Sequence, residues 1–274
     1  MSKEQDITII VRSSGESTEE ICLKCIKNQY SGEIEIIRNV SPFHKALIDG
    51  YTLGVAKNKK YTLFIDADVI IAPNALNQLY KVFEGLNEDY FFVKSYTYDW
   101  LRAGRKPGGI HAFKTFGLEK MLEYKTQIIN EHRPETALKN YVKEAGLKQF
   151  DFNQTLSYHD FFQYHHDIYR KVIFRMIKSP NDLRYLKLRA KLFPLILNDY
   201  KVVRLAVKKF YIEEREDLIC DANDFNTDLL GKKIYVDKYL SSVSVEEIYK
   251  KIKWRIKLQK KLNLSLKYLM KIIN

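Results

Sequence analysis

The chain has 274 residues, is 46% hydrophobic and contains only 11 glycines and 6 prolines, which excludes disordered, collagen-like and low-complexity proteins. Three cysteines are too few for a disulfide framework and favour a reducing compartment. The net charge of +12 is concentrated beyond residue 168, and residues 248–274 carry nine basic and no acidic side chains, which suggests a polyanionic partner for this part of the chain.

Strand and helix patterns alternate through the first third of the chain. Short apolar runs rich in β-branched residues predict strands at 7–11, 33–40, 61–65 and 90–95. Helical periodicity between them predicts helices from Ser17 to Gln29, from Pro42 to Leu53 and from Pro73 to Phe83. Ser17 and Glu20 are spaced as a capping box. The alternation predicts an α/β fold with a largely parallel sheet covered by helices on both faces.

The remaining sequence predicts a mixed region followed by a helical extension. The predicted elements are a long polar loop at 101–118, a helix at 134–146, a short strand before His159, a helical region to about Arg215, an acidic irregular segment at 216–247 and a helical tail at 248–274. We expect a catalytic domain at 1–165 and a basic helical extension at 166–274.

The N-terminal segment contains acidic residues and only a five-residue apolar run, so it predicts no signal peptide. No stretch approaches the about 20 apolar residues that a membrane-spanning helix needs. We therefore expect a cytoplasmic protein, either soluble or peripheral on the inner face of a membrane.

The tail, residues 248–274, has the pattern of a basic amphipathic helix. Its apolar positions run from Ile252 to Ile273 at steps of three and four, and Trp254 and Tyr268 lie among the basic residues. Such helices bind anionic membrane surfaces. The alternative is a helix that packs on the catalytic domain with a solvated lysine face. No nucleic-acid motif accompanies the charge, so no nucleic-acid partner is expected.

Two aspartates follow the third predicted strand. Asp66 and Asp68 are two positions apart, and side chains two apart on a strand point the same way. Ligands of α/β proteins bind at the carboxyl ends of such strands. Paired carboxylates are suited to magnesium or manganese that also binds a diphosphate. The alternative is a pair of solvated aspartates that end a strand.

These residues resemble the GT-A glycosyltransferases of family 2. The first strand leads into a polar segment containing Glu16, and FIDADVII matches that family's DxD strand. Farther along, Gly146 follows Glu135 by 11 residues and His159 follows Gly146 by 13, which is the family's spacing from its catalytic acid to a later glycine and histidine. The similarity covers about residues 7–165, and the QxxRW motif of the membrane-embedded synthases is absent.

The resemblance implies a Rossmann-like GT-A fold and metal-dependent, inverting transfer of a hexosyl or N-acetylhexosaminyl group. The donor would be a nucleotide sugar, expected to be a uridine diphosphate sugar. The acceptor would be a glycan or a lipid-linked hydroxyl in bacterial cell-surface glycan assembly. A divalent metal, manganese or magnesium, would bind the diphosphate.

Roles for individual residues follow from the same resemblance. Glu135 takes the position of the general base, with Asp160 and Asp99 as rivals. The expected donor-binding residues are Arg12, Glu16, Asp66, Gly108, Gly109 and His111, and the expected metal ligands are Asp66, Asp68 and His159. Further phosphate contacts are expected from the basic side chains of the polar loop, which are Arg102, Arg105 and Lys106.

Two other functions fit parts of the sequence. FIDADV also matches the opening motif of haloacid-dehalogenase-like phosphatases, in which Asp66 would be the nucleophile, although about 60 residues of βαβ pattern precede it here. Residues 218–224 are a weak candidate for the later acidic motif of that fold. The second alternative is a non-catalytic module that binds a membrane surface or nucleic acid.

Overall fold

The structure is a computed structural model that describes residues 3–131, 133–178, 198–212 and 243–273. It contains two compact units. The first unit comprises residues 1–99 and 104–161, and the second comprises residues 100–103 and 162–274. The division into domains 1–165 and 166–274 stays a prediction.

The first unit is built on a mixed sheet. Its strands are β1 (Ile7–Ser13), β2 (Ile34–Arg38), β3 (Tyr61–Asp66), β4 (Val69–Ile71), β5 (Tyr90–Asp99), β6 (Gly104–Lys114) and β7 (Lys148–His159). Its helices are α1 (Lys3–Asp6), α2 (Glu19–Lys27), α3 (Phe43–Ala56), α4 (Ala75–Gly85), α5 (Thr115–Leu122) and α6 (Pro134–Glu144). The predicted α/β fold is therefore confirmed.

The strands lie in the order β2-β1-β3-β6-β5-β7-β4. β1 pairs in parallel with both β2 and β3, and β5 pairs in parallel with β7. β6 is antiparallel to β3 and β5, and β4 is antiparallel to β7. The carboxyl ends of β1 and β3 therefore lie together, as expected for the ligand-binding edge of an α/β sheet.

Helices cover both faces of the sheet, because both faces carry apolar side chains. On one face Phe64 and Phe113 join Leu47 and Tyr51 of α3 and Leu138 of α6 in a buried cluster. On the other face the ring of Phe83 from α4 stacks on Tyr61 at 4.4 Å between centroids. Leu138 and Val142 attach α6 to the first of these faces.

The structure corrects three local predictions. The segment 101–118 is not a loop, since it contains all of β6 and the start of α5. α2 begins at Glu19 after Thr18, and Ser17 does not cap it. Strand β3 ends at Asp66, so Asp68 lies in a turn and the alternation expected for the two aspartates does not apply.

The described part of the second unit is helical. Its helices are α7 (His165–Lys178), α8 (Asn198–Ile212) and α9 (Val245–Ile273). Ile248 and Ile252 of α9 are fully buried, and the Gln259 side chain donates a hydrogen bond of 2.7 Å to the carbonyl of Trp100. The beginning of the tail is therefore packed within its own unit. The acidic segment at 216–247 falls mostly outside the described residues.

Among the helices that the structure describes, none is long and apolar enough to cross a membrane.

Candidate active site

The turn after β3 is fixed by main-chain contacts. The amide of Ala67 donates to the carbonyl of Arg12 at 2.8 Å, and the Thr18 hydroxyl donates to the carbonyl of Ala67 at 2.8 Å. The amide of Asp160 donates to the carbonyl of Asp68 at 3.3 Å. The turn is thus anchored by β1, by the start of α2 and by the end of β7, so its aspartates have defined positions.

The pairing of β4 with β7 brings distant acidic residues to this turn. Val69 lies opposite His159 in that antiparallel pair, so Asp68, one residue earlier, meets the end of β7. The ligand atoms of Asp68, His159 and Asp160 lie within 4.8 Å of one another. Of the predicted metal ligands, the structure brings Asp68 and His159 together and adds Asp160.

His159 is surrounded by carboxylates. Its Nε2 lies 3.5 Å from Asp68, and its Nδ1 lies 2.9 Å from Asp160 and 3.3 Å from Asp99. Burial opposes protonation, but Asp160 and Asp68 outweigh it and raise the pKa of His159 to about 9. The imidazole is therefore cationic at neutral pH when its only neighbours are those of the protein.

A second cation lies beside the same group. Lys106 Nζ is 2.6 Å from the fully buried carboxylate of Asp99 and 3.4 Å from His159 Nδ1. Lys106 was expected to contact phosphate oxygens, and in the structure it neutralises Asp99. Lys106 lies near both side chains because Asp99 of β5 stands opposite His159 of β7 in the parallel strand pair.

The donor set fits a divalent cation. Two carboxylates and one imidazole are ligands that manganese accepts, and magnesium prefers the oxygens. The other ring nitrogen of His159, Nδ1, lies 3.3 Å from the carboxylate of Asp99, which is the usual arrangement behind a metal-binding histidine. Asp68, Asp160 and His159 would hold the cation, with the Nε2 of His159 turned toward Asp68.

Asp66 has a different partner. The buried guanidinium of Arg12 donates from Nε to Asp66 at 2.8 Å, and its Nη1 lies 3.8 Å from Glu135. Burial opposes the charge on Arg12, but Asp66 and Glu135 raise its pKa above the usual value. Arg12 thus links the end of β3 to the start of α6. In the structure Asp66 pairs with Arg12, and its expected role as a metal ligand stays a prediction.

Glu135 is the centre of a cationic group. Its carboxylate contacts His111 Nδ1 and lies 2.8 Å from Lys139 Nζ, in addition to Arg12. Burial raises the pKa of Glu135, but His111, Lys139 and Arg12 together hold it well below the usual value. Glu135 is therefore ionised at neutral pH.

The other expected donor-binding residues lie in two places. Glu16 accepts hydrogen bonds from the Ser14 amide at 2.6 Å and from the Ser13 hydroxyl at 3.2 Å, which orders the loop after β1. Gly108 and Gly109 lie in β6 with φ of 109° and 97°. A Cβ on Gly109 would lie 2.0 Å from Ser157 Oγ, so glycine is required there for packing.

The basic side chains expected to contact phosphates have partners of their own. Arg105 stacks on the ring of Tyr96 at 3.8 Å and donates to Asn153 at 2.6 Å. Arg102 lies in the second compact unit. Their contact with a donor stays a prediction.

A comparison of the sequence with known protein families gives one match. The family described as Glycosyl transferase family 2 matches residues 2–154, which is more than half of the chain. The chain belongs to glycosyltransferase family 2. This confirms the resemblance and the GT-A type of fold. Among curated proteins, none matches the chain.

Solved structures resemble this glycosyltransferase at a distance. A protein from STIV is 16% identical, with 56% of this chain and 84% of that chain covered and a TM-score of 0.42. A glycosyltransferase involved in the glycosylation of the major capsid of PBCV-1 is 11% identical, with 56% and 93% covered and a TM-score of 0.39. A 4-diphosphocytidyl-2C-methyl-D-erythritolsynthase from Anaerococcus prevotii is 12% identical, with 55% and 87% covered and a TM-score of 0.41. Each likeness is distant and concerns the fold alone.

Sequence reasoning missed one residue of the charged group around Glu135. Lys139 lies four residues after Glu135, and this spacing places the two side chains on one helix face. That spacing was the available signal. No spacing in the sequence indicated the pairing of Asp99 with Lys106, because that pairing depends on the register of β5 and β6.

The buried ion pair of Glu135 and Lys139 predicts that the two side chains are coupled in their contribution to the free energy of unfolding. We expect Glu135→Gln to lower the free energy of unfolding by about 3 kcal/mol. The neutral amide would no longer compensate the buried positive charges of Lys139 and Arg12. Denaturant titration at pH 7 measures this change. The double variant with Lys139→Met should lose less than the two single variants together. Additive losses would show that the two side chains are not coupled.

Proposed function

We propose that this protein transfers a hexosyl or N-acetylhexosaminyl group from a uridine diphosphate sugar to a hydroxyl of a glycan or lipid-linked acceptor. The reaction is inverting and depends on manganese or magnesium, and its setting is cell-surface glycan assembly in bacteria. The observation that carries the proposal is the convergence of Asp68, His159 and Asp160 at the sheet edge of a family 2 chain.

We assign different roles to the carboxylates at this edge. A divalent cation bound by Asp68, Asp160 and His159 would neutralise the charge that develops on the leaving diphosphate. Asp66, oriented by Arg12 and 37% exposed, accepts hydrogen bonds from the donor ribose. Glu16 and the loop after β1 are assigned to donor binding. Gly108 lets the backbone of β6 approach the sugar, since even an added Cβ there would meet no heavy atom within 4 Å.

The metal site is tested by ligand-induced stabilisation. We expect uridine diphosphate to raise the melting temperature of the chelator-treated chain only when manganese is added, because ligand that binds the folded state stabilises it by mass action. Asp68→Asn should abolish the manganese-dependent part of the shift. Asp89→Asn, which removes an exposed carboxylate in the turn before β5, is the matched control. A full manganese-dependent shift in Asp68→Asn would refute the proposed site.

Glu135 is the proposed general base. It is kept ionised by His111, Lys139 and Arg12, as a base must be, and Arg12 connects it directly to the donor-site residue Asp66. The same neighbours reduce its proton affinity, so it accepts the acceptor's proton only as that hydroxyl becomes acidic during attack. Asp160 is fully buried against His159 and is assigned to the metal instead.

Two carboxamide variants distinguish these roles. We expect Glu135→Gln to lower kcat by about 10²–10⁴-fold with donor affinity nearly unchanged, because the base acts on the acceptor. We expect Asp160→Asn to weaken manganese binding, measured by calorimetry. Both are assayed where circular dichroism shows native folding, with the exposed Glu144→Gln on the same helix as control. Normal turnover in Glu135→Gln, combined with a loss in Asp160→Asn that added manganese does not restore, would transfer the base role to Asp160.

We propose further that α9 brings the enzyme to an anionic membrane surface. Trp254 is 62% exposed. Exposed lysines surround it along the first half of the helix, and these are Lys250, Lys251, Lys253, Lys257, Lys260 and Lys261. An exposed indole among lysines matches the chemistry of an interfacial helix. The buried face of α9 packs in its own unit, so the lysine-bearing face supplies the membrane contact.

Charge removal from α9 tests this contact. Each lysine near an anionic leaflet contributes about 1 kcal/mol, so a triple change of Lys253, Lys257 and Lys260 to Gln should weaken binding to phosphatidylserine vesicles at least about tenfold. Vesicle cosedimentation measures the change. The control is the same change at three exposed lysines elsewhere, which are Lys81, Lys120 and Lys125. An equal loss in both triple variants would mean that net charge, and not α9, determines binding.

A further inference from the structure

A cleft of about 360 Å³ lies in the first unit beside α6. It is formed by β5, β6 and α6, with Gln149 of β7 at one side. Its polar lining includes Lys94, His111, Thr136, Lys139, Asn140 and Lys143. The carboxylates and imidazole of the candidate metal site are not among the residues that line it.

The lining is cationic. It contains three lysines and one histidine and no aspartate or glutamate. Lys94 pairs with Asp151 at 2.8 Å and Lys139 pairs with Glu135 at 2.8 Å, both of which lie just outside the lining. Lys143 has no carboxylate partner within the described ranges. The cleft therefore retains positive charge that an anion can compensate.

One face of α6 is dedicated to this cleft. Thr136, Lys139, Asn140 and Lys143 follow the three- and four-residue spacing of a single helix face, and all are polar. The opposite face, with Leu138 and Val142, is in the core. Lysine ammonium groups and side-chain amide donors suit a phosphate group.

The cleft adjoins the proposed base. His111 and Lys139 line it, and both contact Glu135. A molecule held there presents its neighbouring hydroxyl groups to the Glu135 carboxylate. We propose that this cleft binds a phosphate group of the acceptor, so that the acceptor is anionic, as a lipid-linked sugar phosphate or a soluble sugar phosphate. This inference rests on the proposed glycosyltransferase function and adds the class of acceptor.

The test uses the full chain saturated with uridine diphosphate and magnesium, which occupies the donor site. Phenyl phosphate and farnesyl phosphate are titrated as probes, with farnesol as the neutral counterpart, and ligand-observed NMR gives the Kd. We expect both phosphates to bind the wild-type chain. Lys143→Glu should weaken them by about tenfold or more, and Lys143→Arg should retain them, because the charge is what the phosphate recognises. Lys81→Glu, an exposed lysine on α4, is the matched control.

The outcomes separate the two proposals. Hydrolysis of uridine diphosphate sugars by the wild-type chain is measured in parallel, and its complete absence would overturn the proposed function and with it the assignment of an acceptor. Hydrolysis with phosphate binding that is equal in wild type and Lys143→Glu would overturn the cleft inference alone. Tighter binding of farnesyl than of phenyl phosphate, both lost in Lys143→Glu, supports a lipid-linked acceptor. Equal affinities lost in the same way support a soluble sugar phosphate.

Discussion

The buried guanidinium of Arg12 is the constraint on which the rest of the site depends. A buried charge is stable only when carboxylates compensate it, and Arg12 has Asp66 on one side and Glu135 on the other. These residues lie in β1, β3 and α6, which are far apart in the sequence. The requirement for neutrality therefore fixes the start of α6 relative to the carboxyl ends of β1 and β3.

The three-residue strand β4 fixes the relative positions of the residues in the candidate metal site. β4 pairs with the end of β7, and this pairing places Asp68 beside His159 and Asp160. The carboxylates would repel one another without a cation. In the protein alone, His159 and Lys106 supply that positive charge. The cluster could also hold a metal ion, whose charge would compensate the same carboxylates.

The sequence was most informative where local patterns decide the structure. Alternating apolar runs and helical periodicity predicted β1 to β3 and α2 to α4, and the DxD strand and the Glu135–Gly146–His159 spacing identified the family. The sequence was least informative where the structure depends on which residues of neighbouring strands pair. β6 contains glycines and basic residues, so it resembled a loop, and only pairing on both sides makes it a strand. The partners of Asp66 and Asp99 depend on the same cross-strand alignments.

The short connection between β5 and β6 has a consequence for modularity. Residues 100–103 are inserted between two strands of the family 2 segment, yet they belong to the other compact unit, where the Trp100 indole donates to Asp199 and its carbonyl accepts from Gln259. A chain shortened to residues 1–161 would keep all the strands that the structure describes and expose a large aromatic ring at a hairpin tip. The helical part of this protein is therefore poorly exchangeable by recombination, because a replacement would have to bury the same tryptophan.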